Sequence, residues 1–214
     1  MKKRSRIHIF MIMAIMVLTS MMTMSASAAS NRSKAMQAYN RFLKKGYYTS
    51  MRNWKLAYFT LADIDRNGIP ELITMDDTFR PINVFTYQKG KVRCVSEWAG
   101  KVWESDRRGY YVNYNPSQKA LTIVDHEGTG LWGYELLRMK NGKMKNVLGI
   151  SISVHWDRWD NKIRNCGYTK NGREWKRCSY KTYKKYESKY FKGSKVKKAY
   201  FVKNTSANRK KKLK

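Results

Sequence analysis

The spacing of apolar residues changes several times along the chain, and each change marks a different element. Residues 7–24 are mostly apolar and hold no acidic side chain. Between 31 and 46, Ala35, Met36, Tyr39, Phe42 and Leu43 recur at helical spacing. That predicts an amphipathic helix, with Gly46 as its stop. From Trp54 to Ile64 apolar and aromatic residues occupy both faces of an extended segment, as in a central strand, and Glu71–Met75 follows as its partner. Hairpin patterns come next. Runs from Ile82 to Trp98 turn at Lys89-Gly90, and those from Tyr110 to Val124 turn at Asn115-Pro116-Ser117. Two more, Gly133–Val154 and Asn165–Cys178, turn at Asn141-Gly142 and Asn171-Gly172. Asn-Gly between such runs favours a type I′ turn, because both residues tolerate positive φ. Helical spacing returns near the end. Tyr183, Tyr186 and Tyr190 line one face, Lys residues fill the others, and Gly193 closes the segment.

These elements predict an α+β domain. An antiparallel β-meander, either a curved sheet or a partly open barrel, carries an N-terminal helix and a C-terminal helix. A short apolar patch, Ala199 to Val202, precedes a basic tail over 204–214 with room for a short capped helix. No linker or internal repeat interrupts residues 30–203, which read as a single domain.

The first residues set the compartment. Lys2, Lys3, Arg4 and Arg6 precede the apolar run, and Ala26-Ser27-Ala28 offers the small-x-small pattern of signal peptidase sites. Residues 1–29 read as a secretory leader to be excluded from the fold. The expected location is extracellular or wall-associated, with no stable membrane span after leader removal. Those four basic residues leave 41 Lys and Arg against 15 Asp and Glu, a net charge of +26 for the rest. Residues 161–214 alone hold 20 basic residues against Glu174 and Glu187. Such a surplus attracts polyanions: teichoic acid, acidic glycan or nucleic acid. Lys184, Lys185, Lys189, Lys197, Lys198, Arg209, Lys210, Lys211 and Lys212 are the expected docking residues. The alternative is a solvated basic face that only aids solubility.

Three cysteines, Cys94, Cys166 and Cys178, allow at most one intramolecular disulfide. A two-residue turn at Asn171-Gly172 would place Cys178 opposite Asn165, so joining Cys166 to Cys178 would need a register shift. No Cys/His spacing suggests zinc.

One stretch carries distinctive chemistry. In "LADIDRNGIPELIT", Asp63, Asp65 and Asn67 sit at alternate positions, Gly68 permits a bend, Ile69 offers a carbonyl at position 7, and Glu71 falls at position 9. Calcium takes six to eight hard oxygen ligands, and this spacing supplies them around one bend. An EF-hand would need Glu at position 12, which is Thr74, and its flanks would be helical. The pattern is similar to the D-x-D-x-[DN]-G-x-x-[DE] calcium loops of integrin-type propeller repeats, which join two strands, although a single copy excludes a propeller. The longer phrase "FTLADIDRNGIPELIT" resembles a motif of small secreted proteins of Gram-positive gut clostridia, which run as leader, short helix, acidic loop and β-hairpins. That group has no established activity, so the resemblance implies a layout and no mechanism. A metal-free turn, with Arg66 pairing to an acid, is the competing reading. If calcium binds, it is expected to be structural.

Catalytic signatures are weak. Asp125, His126 and Glu127 sit together before two glycines, and His155 lies near Asp157 and Asp160. A His and a carboxylate from separate loops would serve phosphodiester hydrolysis, but polar turns explain the same residues. No G-x-S-x-G, H-E-x-x-H or Cys–His nucleophile context occurs. Six Trp residues, 98, 103, 132, 156, 159 and 175, fall in the hairpin region and are expected mainly in the core. Trp156-Asp157-Arg158-Trp159-Asp160 is the exception: it breaks the alternation and reads as an aromatic surface loop. The function expected from all this is a non-enzymatic secreted binding protein with one structural calcium loop. A small nuclease-like hydrolase using His126 is the alternative.

Overall fold

A computed structural model describes residues 29–49, 53–78, 82–97, 99–100, 105–126, 131–159, 161–193 and 195–214. Residues 1–28, Trp98, Trp103, Glu127 and Asp160 lie outside the described residues, as do the side chains of Asp125 and His126; the expected leader over 1–29 falls almost wholly among them. Among the described residues no helix is long and apolar enough to cross a membrane.

The chain is α+β, with antiparallel sheets and, among the described residues, no closed barrel. Helix α1 (29–44) ends where Gly46 takes a positive φ of 76°. Strands β1 (Tyr47–Thr49) and β2 (Asn53–Lys55) form a small ribbon. Then β3 (Tyr58–Ala62), β4 (Glu71–Met75), β5 (Ile82–Gln88) and β6 (Lys91–Ser96) build a meander. A second meander follows: β7 (Ser105–Asp106), β8 (Gly109–Asn115), β9 (Ala120–His126), β10 (Leu131–Lys140), β11 (Lys143–Trp156), β12 (Lys162–Thr169) and β13 (Lys176–Cys178). The predicted turns at Lys89-Gly90 and Asn141-Gly142 are present, with positive φ at both residues of each, as a type I′ hairpin requires. At the β8–β9 turn Asn115 Oδ1 accepts from the N–H groups of Ser117 and Gln118.

With β14 (Lys197–Tyr200) and β15 (Val202–Lys203), the strands form two sheets, one ordered β15-β3-β4-β5-β6 and the other β13-β12-β11-β10-β9-β8-β14, with β7 paired to β8. The apolar patch after the C-terminal helix links them. Strand β14 pairs with β8 on the edge of the large sheet, and β15 pairs with β3 on the edge of the small one. Phe201, between them, donates its N–H to Tyr110 O at 2.9 Å and is buried. A strand that switches sheets at a bend is a known way to make the corner of a two-sheet stack.

Burial follows four layers. Ala35, Met36, Tyr39 and Leu43 of α1 cover one face of the small sheet through Phe59, Leu72 and Phe85. Its other face meets the large sheet through Ile73, Met75, Ile82, Val84, Leu121 and Ile123. All five residues of β4 are therefore buried, since alternate side chains find apolar cover on opposite faces. The outer face of the large sheet carries helix α2 (Tyr180–Tyr186), capped by Ser179. A π-helical turn, Glu187–Phe191, extends it, with Lys192 N bonded to Glu187 O. Tyr183 and Phe191 are buried against Leu136, Ile150 and Ile152, while Tyr186 and Tyr190 are half-buried at the rim. The tyrosine stripe is a packing face. Close approach of the sheets also fixes Gly100, at φ 133°, where a Cβ would fall 2.0 Å from Ile123.

Two expectations need correction. The β12–β13 connection is a six-residue loop over 170–175. Thr169 Oγ1 accepts from the N–H groups of Asn171 and Gly172, and Asn171 Oδ1 accepts from those of Arg173 and Glu174. Asn171 spends its side chain on this wider bend and keeps a negative φ, which moves the register by one and sets Cys178 opposite Cys166. The second correction concerns tryptophan: Trp132 and Trp175, expected in the core, are exposed, and Trp156 and Trp159 are exposed as the surface-loop reading expects. They lie toward the β10–β13 side of the large sheet, where strands extend past the cover that the small sheet and α2 provide.

Candidate metal centre

The loop 63–70 joins β3 to β4, whose last register pair is Ala62↔Glu71. Because the strands are neighbours, Asp63 and Glu71 leave and enter the ladder side by side, and the loop folds Asp65 back onto them. Oxygens of Asp63, Asp65 and Glu71 all lie within 4.8 Å of one another. Gly68 at φ 82° makes the return bend.

Glu71 is fully buried. Its Oε2 accepts the N–H of Ile64 at 2.9 Å, and its Oε1 accepts the Thr86 hydroxyl at 3.4 Å. Burial pushes its pKa up to about 8; the charges of Asp65 and Asp63 add to the rise, and the Ile64 N–H opposes it. Asp65 is also raised, first by burial, with Asp63 adding and the Asn67 N–H and Lys119 opposing. Asp63 Oδ2 accepts from Gly68 N at 3.3 Å, whereas its Oδ1 is buried without a hydrogen-bond partner. A buried carboxylate oxygen without a donor is costly unless a cation meets it. Three carboxylates with hard oxygen donors suit calcium better than a soft transition metal.

The other expected ligands take different parts. Asn67 braces the loop: its Oδ1 accepts from Ile69 N at 2.7 Å and its Nδ2 donates to Asp65 Oδ2 at 3.0 Å. Ile69 is half-buried and packs beneath α1. Arg66 is exposed at φ 61° and, among the described residues, pairs with no acid. It does not stand in for a cation, which was one part of the metal-free reading. Spacing in the sequence did not reveal three further contributors. Arg32 of α1 reaches Gly68 O at 3.3 Å, Thr86 bonds Glu71, and the buried Tyr39 hydroxyl is pushed up by burial and by the Glu71 charge. All three come from distant elements, and only packing brings them together.

The hydrolase alternative gains no constellation among the described residues. His155 is exposed beside Asp157, and Asp157 is engaged in its own turn. The backbone of His126 lies opposite Trp132, and its side chain and Glu127 lie outside the described residues.

The basic residues of the C-terminal third are dispersed. Lys184 pairs with buried Glu187, as does Lys192 at 2.7 Å. Burial alone would raise the Glu187 carboxyl, but these two ammonium groups hold it below its usual value. Lys198 is bonded to Asp106 at 3.1 Å and lies over the Tyr111 ring. Arg209 is bound to Asn204 and is half-buried. Lys185, Lys189, Lys197, Lys210, Lys211 and Lys212 are exposed. Helix α2 sits on the large sheet, while α3 (Ser206–Lys212) sits near α1, where Leu213 joins that core. The expected docking residues thus face outward on separate layers rather than in one patch.

No protein-family model, curated protein or solved structure matches the chain.

Proposed function

We propose that the chain is a secreted, non-enzymatic binding protein, stabilised by one calcium ion and drawn to anionic extracellular polymers by its basic surface. The observation that carries this reading is the convergence of Asp63, Asp65 and Glu71 around a buried Asp63 oxygen that has no donor. Those carboxylates would hold the ion, with water and loop carbonyls completing its shell. The ion would supply charge neutralisation and no reaction chemistry, keeping β3 and β4 in register beneath α1. Calcium at extracellular concentration suits a site of this kind, and the leader-like start of the chain suits that compartment.

Support for polymer docking is the charge of +26 outside the leader together with exposed Lys residues on several faces. Dispersed cations favour many weak contacts over one shaped pocket, which is how polyanion binding without sequence preference works. Retention on immobilised teichoic acid across a salt gradient tests this, against a folded basic protein of equal net charge. Later elution than the control, with a steep salt dependence, is expected; co-elution with the control contradicts it.

A further inference from the structure

The end of β11 and the start of β12 form a finger that projects from the large sheet. His155 and Trp156 on one strand, and Lys162, Ile163, Arg164 and Asn165 on the other, are all exposed. The strands nevertheless stay paired out to Trp156↔Lys162. Neighbouring residues of a strand face opposite sides, so exposure of all four residues in the last two register pairs, His155↔Ile163 and Trp156↔Lys162, means that nothing covers either face there; Val154, opposite Arg164, is half-buried. Asp157 braces the described residues of the tip. Asp157 Oδ1 accepts from Trp159 N at 2.8 Å and Asn161 N at 2.9 Å, its Oδ2 accepts from Asn161 Nδ2 at 3.1 Å, and its own N–H donates to Asn161 O.

Exposed apolar side chains gather here. Among the described residues seven large ones are exposed, and five of them, Trp132, Trp156, Trp159, Ile163 and Tyr180, lie at this end of the sheet. Trp156 and Trp159, at the tip, are 61% and 67% exposed, more than the other five. Trp132 pairs with Ile152, which lies four residues before Trp156 on β11 and on the same face. Cations ride on three of these rings: Arg158 over Trp159 at 4.1 Å, Lys162 over Trp156 at 5.5 Å and Arg164 over Tyr180 at 5.0 Å. Lys176, Arg177 and Lys181 follow on β13 and the first turn of α2, all exposed. A soluble domain seldom collects exposed aromatics on a rigid projection unless something covers them.

We infer that this finger docks the protein on an anionic lipid bilayer, with Trp156 and Trp159 entering the headgroup–acyl boundary and Arg158, Lys162 and Arg164 engaging lipid phosphates. Indole rings favour that boundary, where one side is apolar and the other wet. Basic residues near an anionic bilayer surface are attracted to it, and the net charge of the whole chain brings the finger there. Teichoic acid offers phosphates but no apolar phase, so it leaves both indoles in water. The inference rests on the polyanion-docking reading and narrows its partner to a lipid surface.

The test uses the chain as released by secreting cells and its Trp156→Ala/Trp159→Ala variant. Both are sedimented with vesicles of phosphatidylcholine alone or mixed with phosphatidylglycerol, and with soluble teichoic acid. Acyl chains brominated near the headgroup report indole entry by quenching. No Trp precedes Trp54, so quenching reports only on the folded domain. Wild type is expected to sediment with the anionic vesicles and to be quenched by bromine, and the variant to partition about tenfold more weakly or less. Equal partition of the two chains, or emission that bromine leaves unchanged, overturns the inference and leaves polyanion docking standing. Binding to teichoic acid without binding to anionic vesicles does the same. Binding to neither removes the inference and the reading beneath it. Quenching of the wild type needs no variant, so the test survives a variant that fails to fold.

Discussion

Glu71 and Ile64 are joined across the acidic loop: the buried carboxylate of one accepts the backbone N–H of the other at 2.9 Å. This contact holds Glu71 at the mouth of β4, out of water, where its pKa rises to about 8. An unfolded chain would give a glutamate pKa of about 4.3. Without a metal the folded state therefore binds the proton more tightly than the unfolded one. The resulting stability is fully present below a pH of about 4.3 and is lost as pH rises through about 8. In chelator, wild type is expected to lose stability across that window relative to Glu71→Gln, which keeps an acceptor for Ile64 and carries no charge. Paired thermal melts in EDTA at successive pH values check this. A difference between the two proteins that stays constant with pH contradicts it.

Asn204 ties the C-terminal tail to the rest of the domain. Its Nδ2 donates to Leu43 O at 2.9 Å and Leu56 O at 2.8 Å, while its Oδ1 accepts from Arg209 at 2.8 Å. Leu43 lies in the last turn of α1, and its carbonyl also accepts the Gly46 N–H at 3.1 Å. Asn204→Ala strips partners from two carbonyls and a guanidinium and is expected to cost roughly 1–3 kcal/mol in urea unfolding. A loss below about 0.5 kcal/mol, the size of an ordinary surface change, contradicts this role.

Cys166 and Cys178 are free thiols directly opposite each other on β12 and β13. Facing residues in an antiparallel pair have Cβ atoms roughly 4.5–5.5 Å apart, close to the separation a disulfide takes. In an oxidising medium, a disulfide oxidoreductase or oxygen removing two electrons and two protons joins them with little strand movement. Chain recovered from such a medium is expected to weigh two hydrogens less than its reduced form, with Cys166 and Cys178 linked in peptide maps and Cys94 unlinked. Alkylation of all three cysteines in the unreduced, unfolded chain contradicts it.

Local chemistry was legible in the sequence, and long-range pairing was not. Lys89-Gly90 and Asn141-Gly142 dictate their hairpins because a positive φ at adjacent residues admits few alternatives. The α1 face follows from side-chain spacing alone. Nothing local reveals that the chain changes sheets at Phe201, since this depends on how β14 and β15 find edges formed 83 to 145 residues earlier. The Cys166↔Cys178 register was missed because Asn171 adopts a side-chain-capped loop in place of the turn its Asn-Gly step favours. In the acidic loop, alternation picked out the three converging carboxylates. It also assigned Asn67 to a cation, whereas its amide braces Asp65 and Ile69. Arg209 looked like one more surface cation until Asn204 was seen to hold it.

A divalent ion that neutralises Asp63, Asp65 and Glu71 must stabilise the folded state, because the unfolded chain does not gather those carboxylates. Scanning calorimetry of wild type and of Asp63→Asn/Asp65→Asn, each with calcium and with chelator, measures this directly. At a hundredfold excess over Kd the ion contributes about 2.7 kcal/mol, equivalent to roughly 5–10 °C in Tm for a chain of this size. Wild type is expected to show that rise and the variant to show none. A wild-type Tm that is the same in calcium and in chelator contradicts the calcium loop.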